Sequence, residues 1–144
     1  SKKAMSLSDQ FCVERHKDDF LNLVKNKLDI IFANEQEIKS LIDAKSFEEV
    51  IIFGKKLGKL LVITRGEKGS IAIKNNEVTE YDSIKNLKII DLTGAGDLFA
   101  SGFLYGLTSS LSIEQCGSLG TKAASEIITH YGARPKNSLK KLLN

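Results

Sequence analysis

The glycine turn at residues 93–97 constrains this chain most, because it joins two segments with different hydrophobic patterns. Residues 87–90 are mostly apolar and predict a short strand, whereas the apolar residues at 98, 99, 103 and 107 have helical spacing. Gly94 and Gly96 allow a sharp turn with positive φ, so the backbone N–H groups of residues 94–97 are expected to cluster at the helix N-terminus. Such a cluster binds anions, because the unpaired N–H groups and the helix dipole point the same way.

Asp97 is an unusual residue for an anion-binding turn, and the spacing leaves two roles open for it. Asp is a favoured helix N-cap, and a carboxylate at this place is also a candidate catalytic group. Two common phosphate-binding patterns are excluded. No Lys follows Gly96 as a Walker loop requires, and Leu98-Phe99 breaks the glycine spacing of a dinucleotide-binding turn.

Strand and helix patterns alternate along the rest of the chain. Strands are predicted at 4–8, 28–33 and 59–64, helices at 14–27, 35–42, 46–57 and 112–131, and a hairpin at 70–81 that turns at Asn75-Asn76. Ser46 and Glu49 have the spacing of a capping box. This alternation predicts an α/β fold with a mostly parallel sheet and helices on both faces, in which ligands bind beyond the carboxyl ends of the strands.

The composition indicates one ordinary domain over residues 1–144. A net charge of +3 is too small to argue for a nucleic-acid partner, and no apolar run is long enough to cross a membrane. The first residues lack the apolar core of a signal peptide. Cys12 and Cys116 are far apart in the sequence, so we expect two reduced, packed cysteines in a cytoplasmic protein.

The segment Asp91-Leu92-Thr93-Gly94-Ala95-Gly96-Asp97 resembles the D-T-x-G-A-G-D signature of the ribokinase-like (PfkB) family of carbohydrate and nucleoside kinases. Leu92 is a small departure, since Thr or Ser is usual there. The resemblance implies a three-layer, Rossmann-like fold. It also implies an anion hole at Gly94, Ala95 and Gly96 for the transferring phosphoryl group, with Asp97 as the base that activates the substrate hydroxyl.

The segment Thr64-Arg65-Gly66-Glu67-Lys68-Gly69 admits two interpretations. Taken alone, it is most simply a turn that leads into the hairpin. It also resembles the T-x-G-x-x-G nucleotide-binding segment of the same family, which implies that Thr64, Gly66 and Gly69 contact ATP.

Asn34-Glu35-Gln36-Glu37 follows a buried strand and has the spacing of a helix capping box. It also matches an N-x-x-E motif of the family, which implies that Asn34 and Glu37 organise the waters around the Mg²⁺ that accompanies ATP. Magnesium keeps most of its waters, so both roles are compatible.

Three further residues are given roles by the resemblance. Asp91 and Thr93 match positions that bind a monovalent cation such as K⁺ in many members, although Asp91 is also suited to accept hydrogen bonds in a turn. Thr121 falls where a side chain usually contacts the adenine base. The small residues around it in the last helix also suit close packing against a neighbouring helix.

The resemblance is closest to adenosine kinases, and it implies transfer of the γ-phosphate of ATP to a hydroxymethyl group of a nucleoside or sugar. Family members are usually much longer, and the acceptor half with its lid has no counterpart here. The alternative is therefore a nucleotide-binding or assembly module without turnover of its own. The strand at 4–8 would leave an open sheet edge, which we expect a second copy or the rest of a longer chain to cover.

Overall fold

The computed structural model describes residues 1–143 and divides the chain into two compact units. The first contains Ser1–Arg65 and Ile71–Glu80, and the second contains Gly66–Ser70 and Tyr81–Asn144. Strands are β1 (Ala4–Ser6), β2 (Ile30–Asn34), β3 (Leu60–Thr64), β4 (Ser70–Lys74) and β5 (Glu77–Tyr81). Helices are α1 (Gln10–Arg15), α2 (Lys17–Asn26), α3 (Glu35–Ile42), α4 (Phe47–Leu57), α5 (Ala95–Thr108) and α6 (Ile113–Ile127), with 3₁₀ turns at Gly66–Lys68 and Leu139–Leu143.

The five strands form one mixed sheet in the order β1-β2-β3-β4-β5. β1, β2 and β3 run parallel, and the register pairs Asn34 with Thr64 at the carboxyl ends of β2 and β3. β4 and β5 are joined by a two-residue turn in which Asn75 has φ 56°, as the hairpin prediction requires. The predicted α/β class is therefore confirmed.

The core of the first unit lies against the parallel strands. All but the last residue of β2 and of β3 are buried, so both faces of these strands are covered. Ile31 and Leu61 are fully buried and belong to a cluster to which all four helices of this unit contribute; the helical members are Val13, Val24, Ile38, Leu41 and Val50. This cluster holds in place the strand ends that carry the predicted site residues of this unit.

Glycines bring α5 and α6 of the second unit close together. A Cβ atom added to Gly102 would lie 2.7 Å from the carbonyl oxygen of Leu119, and one added to Gly120 would lie 2.8 Å from that of Phe99. The packing interpretation of the small residues in the last helix is therefore confirmed.

Several predicted elements differ in the structure: the first strand ends at Ser6 rather than at residue 8, the last helix ends at Ile127 rather than at residue 131, and three further differences have a clear cause. The predicted strand at 87–90 is wrong: these residues are irregular, and the amides of Ile90 and Asp91 donate to the carbonyl of Ile128. The predicted helix at 14–27 is two helices, because the backbone at His16 leaves the helical region with ψ 37°. The capping box at Ser46 is half formed, since Glu49 accepts from the amide of Lys45 instead.

The cysteine prediction is half right. Both cysteines are free, and Cys116 is buried, but Cys12 is exposed and does not pack in a core. Within the described residues, no helix has the length and apolar character that crossing a bilayer requires.

Candidate functional site

The turn that precedes α5 is closed by a glycine. Gly94 is the N-cap of α5 and has φ 80°, a conformation that residues with a side chain rarely adopt. A Cβ atom at this position would also lie 3.1 Å from the Cβ of Ala133. Both the backbone angle and the close contact explain why the chain has glycine here.

The cap interpretation of Asp97 is wrong. Because Gly94 occupies the N-cap, Asp97 lies in the first turn of α5, and its side chain makes no capping hydrogen bond. Asp97 is exposed, and within residues 1–143 no hydrogen bond or ion pair is made by its carboxylate, whereas its backbone carbonyl accepts from Ser101 Oγ. A solvent-accessible carboxylate without a structural task is therefore placed at a helix N-terminus.

Several amides around Asp97 have no acceptor. The Ala95 amide donates to the carbonyl of Leu92 at 3.2 Å, but those of Gly94, Gly96 and Asp97 donate to no acceptor within the described residues. A Cβ atom added to Gly96 would meet nothing within 4 Å, so this side of the turn is open. Unpaired N–H groups at a helix N-terminus favour an anionic ligand.

Asp91 connects this turn to the segment that follows α6. Its Oδ1 accepts from the amide (2.9 Å) and the hydroxyl (2.7 Å) of Thr93, and its Oδ2 accepts from the amide of Gly132 (3.0 Å). These hydrogen bonds, that of the Thr93 hydroxyl above all, lower the pKa of Asp91 to about 2. Asp91 is thus the turn acceptor that its sequence position suggested, whereas the cation role of Asp91 and Thr93 stays a prediction.

The first unit holds the Asn34–Glu37 pair in a complete capping box. The amide of Glu37 donates to Asn34 Oδ1 at 2.8 Å, and Glu37 Oε2 accepts from the amide of Asn34 at 2.9 Å. The side-chain amide of Asn34 also donates to Glu37 Oε1. Burial is the main cause that raises the pKa of Glu37, and only 6% of this residue is exposed.

This capping pair is suited to a second-sphere role near a metal ion rather than to direct ligation. Each Glu37 oxygen accepts one hydrogen bond and keeps a lone pair that can accept from a metal-bound water. Across the described residues, no group of three or more His, Cys, Asp or Glu side chains forms a metal cage. The free lone pairs of Glu37 are compatible with a hydrated ion such as Mg²⁺, and this role of Asn34 and Glu37 stays a prediction.

The two glycines after β3 have different surroundings. Gly66 has φ 58° and would place a Cβ atom in open space, whereas Gly69 has φ 84° and would place one 1.9 Å from the carbonyl oxygen of Tyr81. The amide of Gly69 also donates to the carbonyl of Gly66. Gly69 is thus required by close packing, and Gly66 has a surface open to a ligand.

Each unit brings together some of the predicted site residues. In the first unit, Asn34 and Thr64 are neighbours in the sheet, and Glu37 is bonded to Asn34. In the second unit, Asp91 and Thr93 are bonded to each other just before the open amides. Thr121, on α6, donates its hydroxyl to the carbonyl of Gly117 at 2.9 Å; its base-contacting role stays a prediction.

Sequence reasoning missed a cluster around Arg65. The Nε of Arg65 donates to Glu35 Oε2 at 3.1 Å, and its guanidinium carbon lies 3.6 Å from the centre of the Phe47 ring. The sequence signal was weak, because Arg65 is a variable position of the T-x-G-x-x-G segment and Phe47 is far from it in the chain. Only the fold shows that the three side chains meet.

Open amides and a free carboxylate after a glycine turn, in a chain with an α/β sheet, are features suited to binding an anionic ligand at a helix N-terminus. The family model described as "pfkB family carbohydrate kinase" matches residues 2–140. The chain belongs to this family.

Known relatives agree with the family assignment. A probable sugar kinase from Rhizobium etli is 43% identical with a TM-score of 0.94, and the match covers 98% of this chain and 43% of that one. An adenosine kinase from Sinorhizobium meliloti is 38% identical, also with a TM-score of 0.94, over 99% of this chain and 44% of that one. A cytidine kinase from Thermococcus kodakarensis is 35% identical over 79% of this chain and 42% of its own length. The chain thus spans less than half the length of each of these relatives.

Proposed function

We propose that this chain forms the phosphate-donor part of an ATP-dependent kinase that phosphorylates a hydroxymethyl group of a nucleoside or sugar. The observation that carries the proposal is the set of three unpaired amides, at Gly94, Gly96 and Asp97, beside an exposed carboxylate that makes no structural bond. An Arabidopsis thaliana ribokinase, 28% identical with a TM-score of 0.72, was solved with ribose and ATP, and this supports ATP as the donor.

In this mechanism the amides and the carboxylate have separate tasks. The γ-phosphoryl group develops charge on its oxygens during transfer, and the fixed N–H groups of Gly94, Gly96 and Asp97 stabilise that charge without reorganising. Asp97 accepts the proton of the acceptor hydroxyl. Its side chain is exposed in the first turn of α5, where an acceptor hydroxyl can reach it.

Ions would assist this reaction from two places. Mg²⁺ neutralises charge on the ATP phosphates when it is bound, and Asn34 and Glu37 would orient its waters through the free lone pairs of the capping pair. Asp91 and Thr93 would bind a monovalent cation such as K⁺. Thr64, Gly66 and Gly69 would contact the nucleotide phosphates, and Thr121 the base.

A nucleoside acceptor is our first choice, because an adenosine kinase and a cytidine kinase are among the relatives. A coupled kinase assay of the 144-residue chain with Mg-ATP and either adenosine or ribose tests the proposal. Phosphorylation of adenosine in preference to ribose supports the nucleoside. ATP binding without phosphorylation of either acceptor means that the chain, as a binding module or as a fragment of a kinase, has no turnover of its own.

The role of Asp97 is tested by Asp97→Asn, with Asp82→Asn as the matched control. Both variants remove one carboxylate charge from an exposed residue of the second unit. In a complete enzyme, we expect Asp97→Asn to leave ATP affinity nearly unchanged and to lower turnover by a factor on the order of 10² or more, while Asp82→Asn retains wild-type turnover. Equal turnover of the two variants would exclude Asp97 as the base.

A further inference from the structure

Arg65 is held by two contacts immediately after β3. Its Nε donates to Glu35 Oε2 at 3.1 Å, and its guanidinium stacks 3.6 Å from the centre of the Phe47 ring. The side chain is 19% exposed. A guanidinium that is both stacked and hydrogen-bonded has lost most of its conformational freedom before any ligand arrives, so little entropy remains to be lost on binding.

The terminal N–H groups of Arg65 are not used by the fold. A guanidinium has five N–H donors, and within residues 1–143 Glu35 is the one hydrogen-bond acceptor that contacts it. No nitrogen of Arg65 is buried without a partner, so the unused donors reach solvent. The fold thus presents a fixed fork of donors that a ligand with paired oxygens fits.

The cluster carries excess positive charge. Glu35 also binds Lys39 at 2.9 Å, so one carboxylate is shared by two cations. The hydrogen bond from Lys39, followed by that from Arg65, lowers the pKa of Glu35 and keeps it ionised.

The cluster lies at the ligand-binding edge of the parallel strands. Glu35 follows Asn34 directly, Arg65 follows Thr64 directly, and Asn34 and Thr64 are paired in register at the carboxyl ends of β2 and β3. Ligands of open parallel sheets bind beyond these ends.

We propose that Arg65 is a substrate-binding residue whose terminal N–H groups donate to phosphate oxygens of the nucleotide, and that Glu35 and Phe47 position it. This inference rests on the proposed function, since it deepens the assignment of this edge to the phosphate donor. It adds Arg65 as a phosphate-binding residue to a segment in which the T-x-G-x-x-G resemblance implied contacts only from Thr64 and the two glycines.

The test compares Arg65→Met with Arg15→Gln by calorimetric titration of each variant with Mg-ATP and with AMP. Arg15 is an exposed arginine of the same unit, so its variant controls for the lost charge. We expect Arg65→Met to weaken ATP binding about tenfold or more and AMP binding much less, because charge-assisted hydrogen bonds to the outer phosphates are lost. Arg15→Gln should change both affinities by less than about twofold.

Arg65→Lys keeps the charge and the stem of the side chain but loses the fork, so an ATP affinity between those of wild type and Arg65→Met is expected. This variant also supplies the answer if Arg65→Met fails to fold. A purely structural Arg65 would alter ATP and AMP affinity equally, which would overturn the inference. If the wild type binds ATP and neither Arg65 variant loses ATP affinity, the inference about Arg65 is wrong but the proposed function stands. If the wild type does not bind ATP, both the inference and the proposed function are wrong.

Discussion

The two glycines of the segment after β3 give a sharp prediction for stability, because they share a backbone conformation but differ in their surroundings. Gly66 and Gly69 have φ 58° and 84°, so alanine at either position is strained by about 1 kcal/mol. At Gly66 nothing else is added, since its Cβ atom would lie in open space.

Gly69→Ala adds a steric cost to the backbone strain. The new Cβ atom would lie 1.9 Å from the carbonyl oxygen of Tyr81 and 3.2 Å from the amide nitrogen of Ser83, and both are backbone atoms that no rotamer change can move aside. Overpacking of this kind costs about 1–3 kcal/mol in addition to the strain. We therefore expect a loss of about 1 kcal/mol for Gly66→Ala and about 2–4 kcal/mol for Gly69→Ala.

Urea unfolding followed by circular dichroism measures this difference, and the melting temperature checks it. For a chain of this size, about 1 kcal/mol corresponds to roughly 3–4 °C, so the two variants should differ by roughly 3–12 °C. Gly58→Ala is the matched control, because Gly58 has φ 69° and an equally open Cβ position. Equal losses for Gly66→Ala and Gly69→Ala would refute the steric reasoning.

The same variants separate stability from ligand binding. If the open backbone at Gly66 contacts ATP phosphates as we propose, Gly66→Ala lowers ATP affinity while Gly58→Ala, at the end of α4, does not. Identical ATP affinities for these two variants would mean that the glycine at 66 serves the turn alone.

Two further predictions concern pH and assembly. Because burial raises the folded-state pKa of Glu37, ionising it costs more in the folded than in the unfolded chain; its contribution therefore lowers stability as pH rises from about 4.5 through the folded-state pKa. Glu37→Gln removes this titration, so the free energy of unfolding of the variant minus that of the wild type should increase between about pH 4 and pH 7. Urea unfolding measures this difference, and a difference that does not change with pH would contradict the prediction. β1 lies at the sheet edge with its outer side unpaired by any other strand of the described sheet, so sedimentation should detect self-association, and a well-behaved monomer in dilute solution would count against a covering copy.

Short sequence patterns predicted correctly those elements whose structure depends mainly on neighbouring residues. The start of α3 follows from Asn34 and Glu37, because a capping box involves only four consecutive residues. β4 and β5 follow from their alternation and from Asn75, whose left-handed conformation suits a hairpin turn. The parallel strands β2 and β3 follow from apolar runs that only a doubly covered sheet can bury.

Elements that depend on distant partners were predicted less well. Residues 87–90 have the composition of a strand, but a strand also needs a hydrogen-bonded neighbour, and here the amides at 90 and 91 donate to the end of α6. The sequence leaves open whether Asp97 caps α5, because Asp is a favourable cap residue, whereas the backbone turn is made by Gly94 in a conformation that only the fold reveals. The stacking of Arg65 on Phe47 has no local signature at all.

The central claim is that the amides before and within the first turn of α5 bind the phosphate that is transferred. The most direct test is to follow the backbone amide resonances of Gly94, Gly96 and Asp97 by NMR during titration with Mg-ATP and with AMP. The account predicts that these three resonances shift strongly with ATP and much less with AMP, because their N–H groups have no acceptor within the described fold. ATP binding that leaves all three resonances unmoved would contradict it.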